Sequence, residues 1–207
     1  MIRLFIFSVL ALIFGISGAQ TGNDSRKAIA KLRDSCGYEV GPSIISRIHS
    51  FDIKELEKSS VFDFNLLIDD AGRKIHGHLS FGCHKATSIE NIESGEVNST
   101  ANSKKHNNLT AKEEIEAEDL GGRYARIVSW QRNYRADNFA GTIAYVNSLF
   151  GDGEKSAIPE YFLVCPEVPG FSCFSMEIGN INRLTKNEVF CIINILEDLK
   201  IIINNSN

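Results

Sequence analysis

The 207-residue chain predicts an α+β fold, a mostly antiparallel sheet of about six strands with an N-terminal and a C-terminal helix packed on it. Three observations carry this. Six segments between Phe62 and Gly179 alternate apolar and polar residues, the period of a strand with one face buried. Most links between them are short and turn-forming, so consecutive strands run antiparallel. Apolar residues at helical spacing frame the strands near both ends.

The chain opens with MIRLFIFSVLALIFGISGA. A basic Arg3, an apolar run from Leu4 to Ile16 and the small residues Ser17-Gly18-Ala19 read as a secretory signal over 1–19, with Gln20 the mature N-terminus. The run is shorter than the ~20 residues a spanning helix needs. Residues 20–207 suit a single domain. Losing Arg3 with the leader leaves 21 basic against 26 acidic residues, a net charge of about −5. An acidic chain disfavours nucleic acid, which rewards clustered positive charge. No later apolar run is long enough to span a bilayer, and no cysteine follows the leader to take a lipid. The expectation is an exported protein, periplasmic or secreted, with no stable membrane anchor.

Asn23 or Asp24 is placed to cap a helix running to Cys36, with Ala28, Ile29 and Leu32 on one face and Gly37 as its stop. Residues 44–57 carry no decisive pattern. Phe62, Phe64, Leu66 and Ile68 then alternate. Asp69-Asp70-Ala71-Gly72 turns the chain, and Ile75, Leu79, Phe81 and Cys83 alternate on the return. From Ala86 to about Lys112 the sequence ATSIENIESGEVNSTANSKKHNNLTAK is polar and reads as a long, flexible insertion. AKEEIEAEDL follows as a short helix. YARIVSWQR, FAGTIAYVNSLF, PEYFLVC and SCFSMEIG read as four strands, with SWQRNYRADNF polar enough to leave the sheet in part. Thr185-Lys186-Asn187-Glu188 is a capping box opening a helix whose apolar face includes Phe190, Ile192, Ile193 and Leu196.

Export puts the five cysteines in an oxidising compartment. Cys165 and Cys173 flank a short loop and are paired. Cys36 with Cys83 then ties the first helix to the hairpin. Cys191 is read as a buried small hydrophobe.

No nucleophile elbow, zinc-protease helix or C-x-x-C motif occurs, and no catalytic residue is assigned. His76, His78 and His84 share the polar face of the hairpin's return strand. An H-x-H pair on a strand can grip zinc, because both imidazoles project the same way; His76 and His78 are the candidate ligands, with Asp63 on the facing strand. Arg123, Arg126, Arg132 and Arg135 cluster among Tyr124, Trp130 and Tyr134, residue types that dominate interface hot spots. Arg126, Trp130, Arg132, Tyr134 and Arg135 are therefore the candidate anchors for a protein partner. Sequons at Asn23, Asn98, Asn108 and Asn204 admit glycosylation in a eukaryotic host, where the chain would be a secreted glycoprotein.

From Arg123 to Leu199, the run FAGTIAYVNSLFGDG, the strand ending in Cys165, the short loop to Cys173 and the closing apolar helix resemble small exported bacterial proteins of the type VI secretion immunity kind. The resemblance implies a compact periplasmic α+β domain that binds and neutralises a toxin or enzyme. The alternative from the residues is a secreted zinc-binding protein or hydrolase built on His76 and His78.

Overall fold

The computed structural model describes residues 17–57, 59–70, 72–84, 109–120, 122–179 and 183–202. The apolar part of the leader, the insertion from 86 to 108 and the sequons at Asn98, Asn108 and Asn204 lie outside them.

In chain order the elements are α1 (Ser17–Cys36), β1 (Tyr38–Val40), α2 (Pro42–Ile45), β2 (Ile48–Glu55), β3 (Ser59–Asp70), β4 (Arg73–His84) and α3 (Ala111–Glu118). Then come β5 (Tyr124–Arg135), β6 (Ala140–Gly151), β7 (Glu154–Pro166), β8 (Phe174–Ile178), α4 (Lys186–Leu196) and β9 (Leu199–Ile201). Seven strands form one antiparallel sheet in the order β2-β3-β4-β8-β7-β6-β5. Two meanders, β2-β3-β4 and β5-β6-β7-β8, are joined where β4 pairs with β8. The polar segment after β4 is thus the connection between the two halves of the sheet, from its centre to the far edge at β5.

The fold is α+β with an antiparallel sheet, as the alternation indicates, and one strand larger than expected. The additional strand is β2. Its burial alternates weakly because it is an edge strand, exposed along most of its length. Two three-residue strands, β1 and β9, pair with each other and bring the segments after α1 and α4 together. Strands that short leave no periodic trace in a sequence.

One face of the sheet holds the main core. Phe62, Phe64, Leu66 and Ile68 of β3, Ile75, Leu79 and Phe81 of β4, Phe162 and Val164 of β7, and Phe174, Met176 and Ile178 of β8 are all buried there. Ala28 and Leu32 of α1 and Ile192, Ile193, Ile195 and Leu196 of α4 belong to the same cluster. Each such side chain contributes about 1.5–3 kcal/mol by leaving water. Both disulfides are those expected: Cys36–Cys83, with Cα atoms 5.4 Å apart, and Cys165–Cys173, at 4.2 Å. Cys191 differs from expectation. It is a free thiol, only half-buried, because it flanks the exposed Phe190 on α4; burial still pushes its pKa up.

Three boundaries also differ. α1 starts at Ser17, so Asn23 and Asp24 lie inside the helix instead of capping it. No proline or glycine pair separates Ala19 from Asp24, so nothing local stops the helix from extending backwards. α3 starts at Ala111 because Thr110 and Glu113 make a capping box, which ends the polar segment two residues early. β5 continues to Arg135, so SWQRNYR stays in the sheet, six of its residues pairing with β6, and only the following residues to Phe139 leave it; polar residues are tolerated because β5 is an edge.

Candidate functional site

Among the described residues, the second face of the sheet is covered on one side only. Ala111 and Ile115 of α3 pack on Ala144 and Val146 of β6 and on Leu163 and Cys165 of β7. Over β3, β4 and β8 the same face carries Asp63, Asn65, His76, His78, Ser80, Gly82, Ser175 and Glu177, and α3 does not extend across them.

Asp63 organises the middle of this open face. Only 6% exposed, it accepts a hydrogen bond from Ser80 Oγ at 2.7 Å and another from Lys54 Nζ at 3.4 Å. His78 Nε2 lies 3.3 Å from the same carboxylate, and His78 Nδ1 lies 3.0 Å from Asn65 Oδ1. Asn65 donates in turn to Ser50 at 2.9 Å. Ser80 and His78 both bind Asp63 and not each other, so they do not form the nucleophile–base pair that covalent catalysis needs.

Two hollows run end to end on this face. One, of about 500 Å³, is floored by Ser80, Gly82 and Ser175 and walled by Glu114 and Glu118 of α3, Arg126, Tyr161 and the Cys165–Cys173 bridge. The other, of about 600 Å³, contains His49, His76, His78 and Glu177. They lie along the same two strands: Ser80 pairs with Ser175 at the first, and His78, two residues along, pairs with Glu177 at the second. The result is a trough along the central strands.

Gly82 is the most informative residue of the floor. It sits inside a central strand, where glycine costs stability. Gly77, five residues earlier and facing the core, is glycine because a Cβ there would strike Met176. A Cβ on Gly82 meets nothing within 4 Å. No neighbour among the described residues requires glycine at 82. Glycine inside a strand accompanies a bulge, a tight bend or the close approach of a ligand or another backbone.

The wall is rigid. Arg126 donates to Asp119 at 2.9 and 2.8 Å and to Glu118 at 2.7 Å, with its guanidinium 5.9 Å from the Tyr161 ring centroid. Burial opposes its charge, but the two carboxylates outweigh this and hold its pKa above the usual range. Burial likewise pushes the Tyr161 phenol up, with Arg126 acting against it.

The five arginine and aromatic residues expected to form one partner surface do not do so. The register of β5 against β6 shifts on either side of Val128. Such bulges add a residue and reverse which face the following side chains occupy. Arg126 and Val128 therefore lie on the α3 side, and Trp130 lies on the main-core side, stacked on Tyr145 with ring centroids 5.3 Å apart. Tyr134 is 2% exposed and donates to the Leu196 carbonyl at 2.5 Å, so it is a core residue. Arg132, 5.2 Å over Trp130, and Arg135 remain exposed at the sheet edge. Among the described residues no group of three or more His, Cys, Asp or Glu side chains is disposed to hold a metal ion. His76 is exposed and His78 is committed to Asp63 and Asn65.

Ser80, Gly82, Ser175 and Glu114 were not singled out by sequence. A glycine within the alternation after Phe81 is the one signal that points to them. No family model, curated protein or solved structure matches the chain. No helix among the described residues is long and apolar enough to cross a membrane.

Proposed function

We propose that the chain is an exported binding protein that captures a protein partner on the open sheet face and thereby neutralises it. A periplasmic inhibitor of a toxin or enzyme, of the immunity kind, is the specific form of this reading. The observation that carries it is the trough floored by Ser80, Gly82 and Ser175, a concave surface in which no described neighbour requires the glycine at 82. Two disulfides support export, as does the leader, whose removal after Ala19 leaves most of α1 intact. An inhibitor needs a stiff frame and a shaped surface, and the Asp63 and Arg126 networks supply the stiffness.

Immobilised mature protein, challenged with the product of the adjacent reading frame, tests the proposal. Retention and loss of that product's activity are expected, and Gly82→Trp, which puts bulk into the trough from a position where a Cβ meets nothing within 4 Å, should abolish both. Gly82→Trp protein that folds and still inhibits would contradict the reading.

A further inference from the structure

Resting on that reading, we infer that the trough receives a lysine or arginine side chain presented on an extended segment of the partner. Glu114 lines the trough. It is half-buried on α3 at the cavity wall, and among the described residues its carboxylate makes no hydrogen bond or ion pair. The acids beside it are occupied: Glu113 holds the Thr110 cap, and Glu118 holds Arg126. Glu177, on the floor's other limb, is also unpaired among the described residues.

The arginine and lysine nearest the trough are already matched. Arg126 is shared by Glu118 and Asp119, and Lys54 lies on Asp63. The carboxylate left without a partner beside the Ser80–Gly82–Ser175 floor is that of Glu114, which repels anions and attracts a cation. A carboxylate partly withdrawn from water gains most from a charged donor, because charge-assisted hydrogen bonds are roughly twice as strong as neutral ones. The floor spans three strands, β3, β4 and β8, about 10 Å at ordinary strand spacing. That width admits an extended chain and is tight for a helix, which measures about 10–12 Å with its side chains. The lack of a side chain on Gly82 lets the segment's backbone approach the sheet while its basic side chain reaches Glu114.

The test titrates isotope-labelled mature protein with acetylated, amidated alanine pentapeptides bearing a central Arg, Lys, citrulline or Glu, and with maltopentaose. The Arg and Lys peptides should perturb the amide signals of Ser80, Gly82, Glu114 and Ser175. The citrulline peptide, nearly the same shape without the charge, should bind about tenfold more weakly, as should the Arg peptide to Glu114→Gln. Equal binding of citrulline or Glu peptides, response to the oligosaccharide instead, no response to the Arg and Lys peptides, or no effect of Glu114→Gln would each overturn the inference. Partner capture that Gly82→Trp destroys while Glu114→Gln spares would remove this inference and leave the proposed function standing.

Discussion

Arg126 and Trp130 stand four residues apart on one strand and on opposite faces of the sheet. The register shifts flanking Val128 separate them: Arg126 lies over Tyr161 beneath α3, and Trp130 lies on Tyr145 and Phe162 in the main core. A cluster that reads as one patch along the sequence is two structural devices.

Trp130→Ala should therefore act on stability. Removing a partly buried indole from two aromatic neighbours is expected to cost about 2–3 kcal/mol, below the range for a fully buried tryptophan. Chemical denaturation checks this. Unchanged stability with lost partner binding would return Trp130 to the surface role.

The β3–β4 hairpin was legible because its period of two is unbroken over twenty residues and only one face is buried. Thr185 and Glu188 announced α4; α3 was read from AKEEIEAEDL alone, and the same capping spacing at Thr110 and Glu113 passed unread in a polar stretch. β5 was legible as a strand but not as faces, because a bulge leaves no compositional mark. The trough was not legible. Ser80, Glu114, Arg126 and Ser175 come from four elements, and they meet only because β4 pairs with β8, a pairing no local pattern encodes.

The two disulfides should differ in weight. Cys36–Cys83 closes 47 residues and Cys165–Cys173 closes eight. On the chain-entropy account the first stabilises by about 4 kcal/mol and the second by about 2.5. Paired Cys→Ala variants, compared by urea unfolding, should show the larger loss for Cys36/Cys83. An equal or reversed order would refute the entropic account here.

The fold should weaken in alkali. The five tyrosines all have raised pKa values. Burial does this at Tyr38, Tyr134 and Tyr161, and a hydrogen bond to Asp152 does it at Tyr124. At Tyr145 burial and then the bond to Glu160 push the value up to about 12. An unfolded phenol loses its proton near about pH 10. Above that the unfolded chain binds fewer protons than the folded one, so stability falls with rising pH. The contribution of Tyr145 is complete below about pH 10 and lost as pH rises through about 12. Phenolate absorbance and circular dichroism, followed together, should show ionisation delayed and accompanied by unfolding. Free titration of all five phenols near about pH 10 in an intact fold would contradict this.

Everything functional in this account rests on which surface meets the partner. The decisive measurement is the dissociation constant of the captured partner for two variants of the mature protein. Gly82→Trp should raise it by about 100-fold or more, the size of a hot-spot loss. Arg132→Ala/Arg135→Ala, which removes exposed charge at the β5 edge and the Arg132 contact with Trp130, should leave it within about threefold. The reverse pattern would place the partner on the β5 edge and contradict the trough.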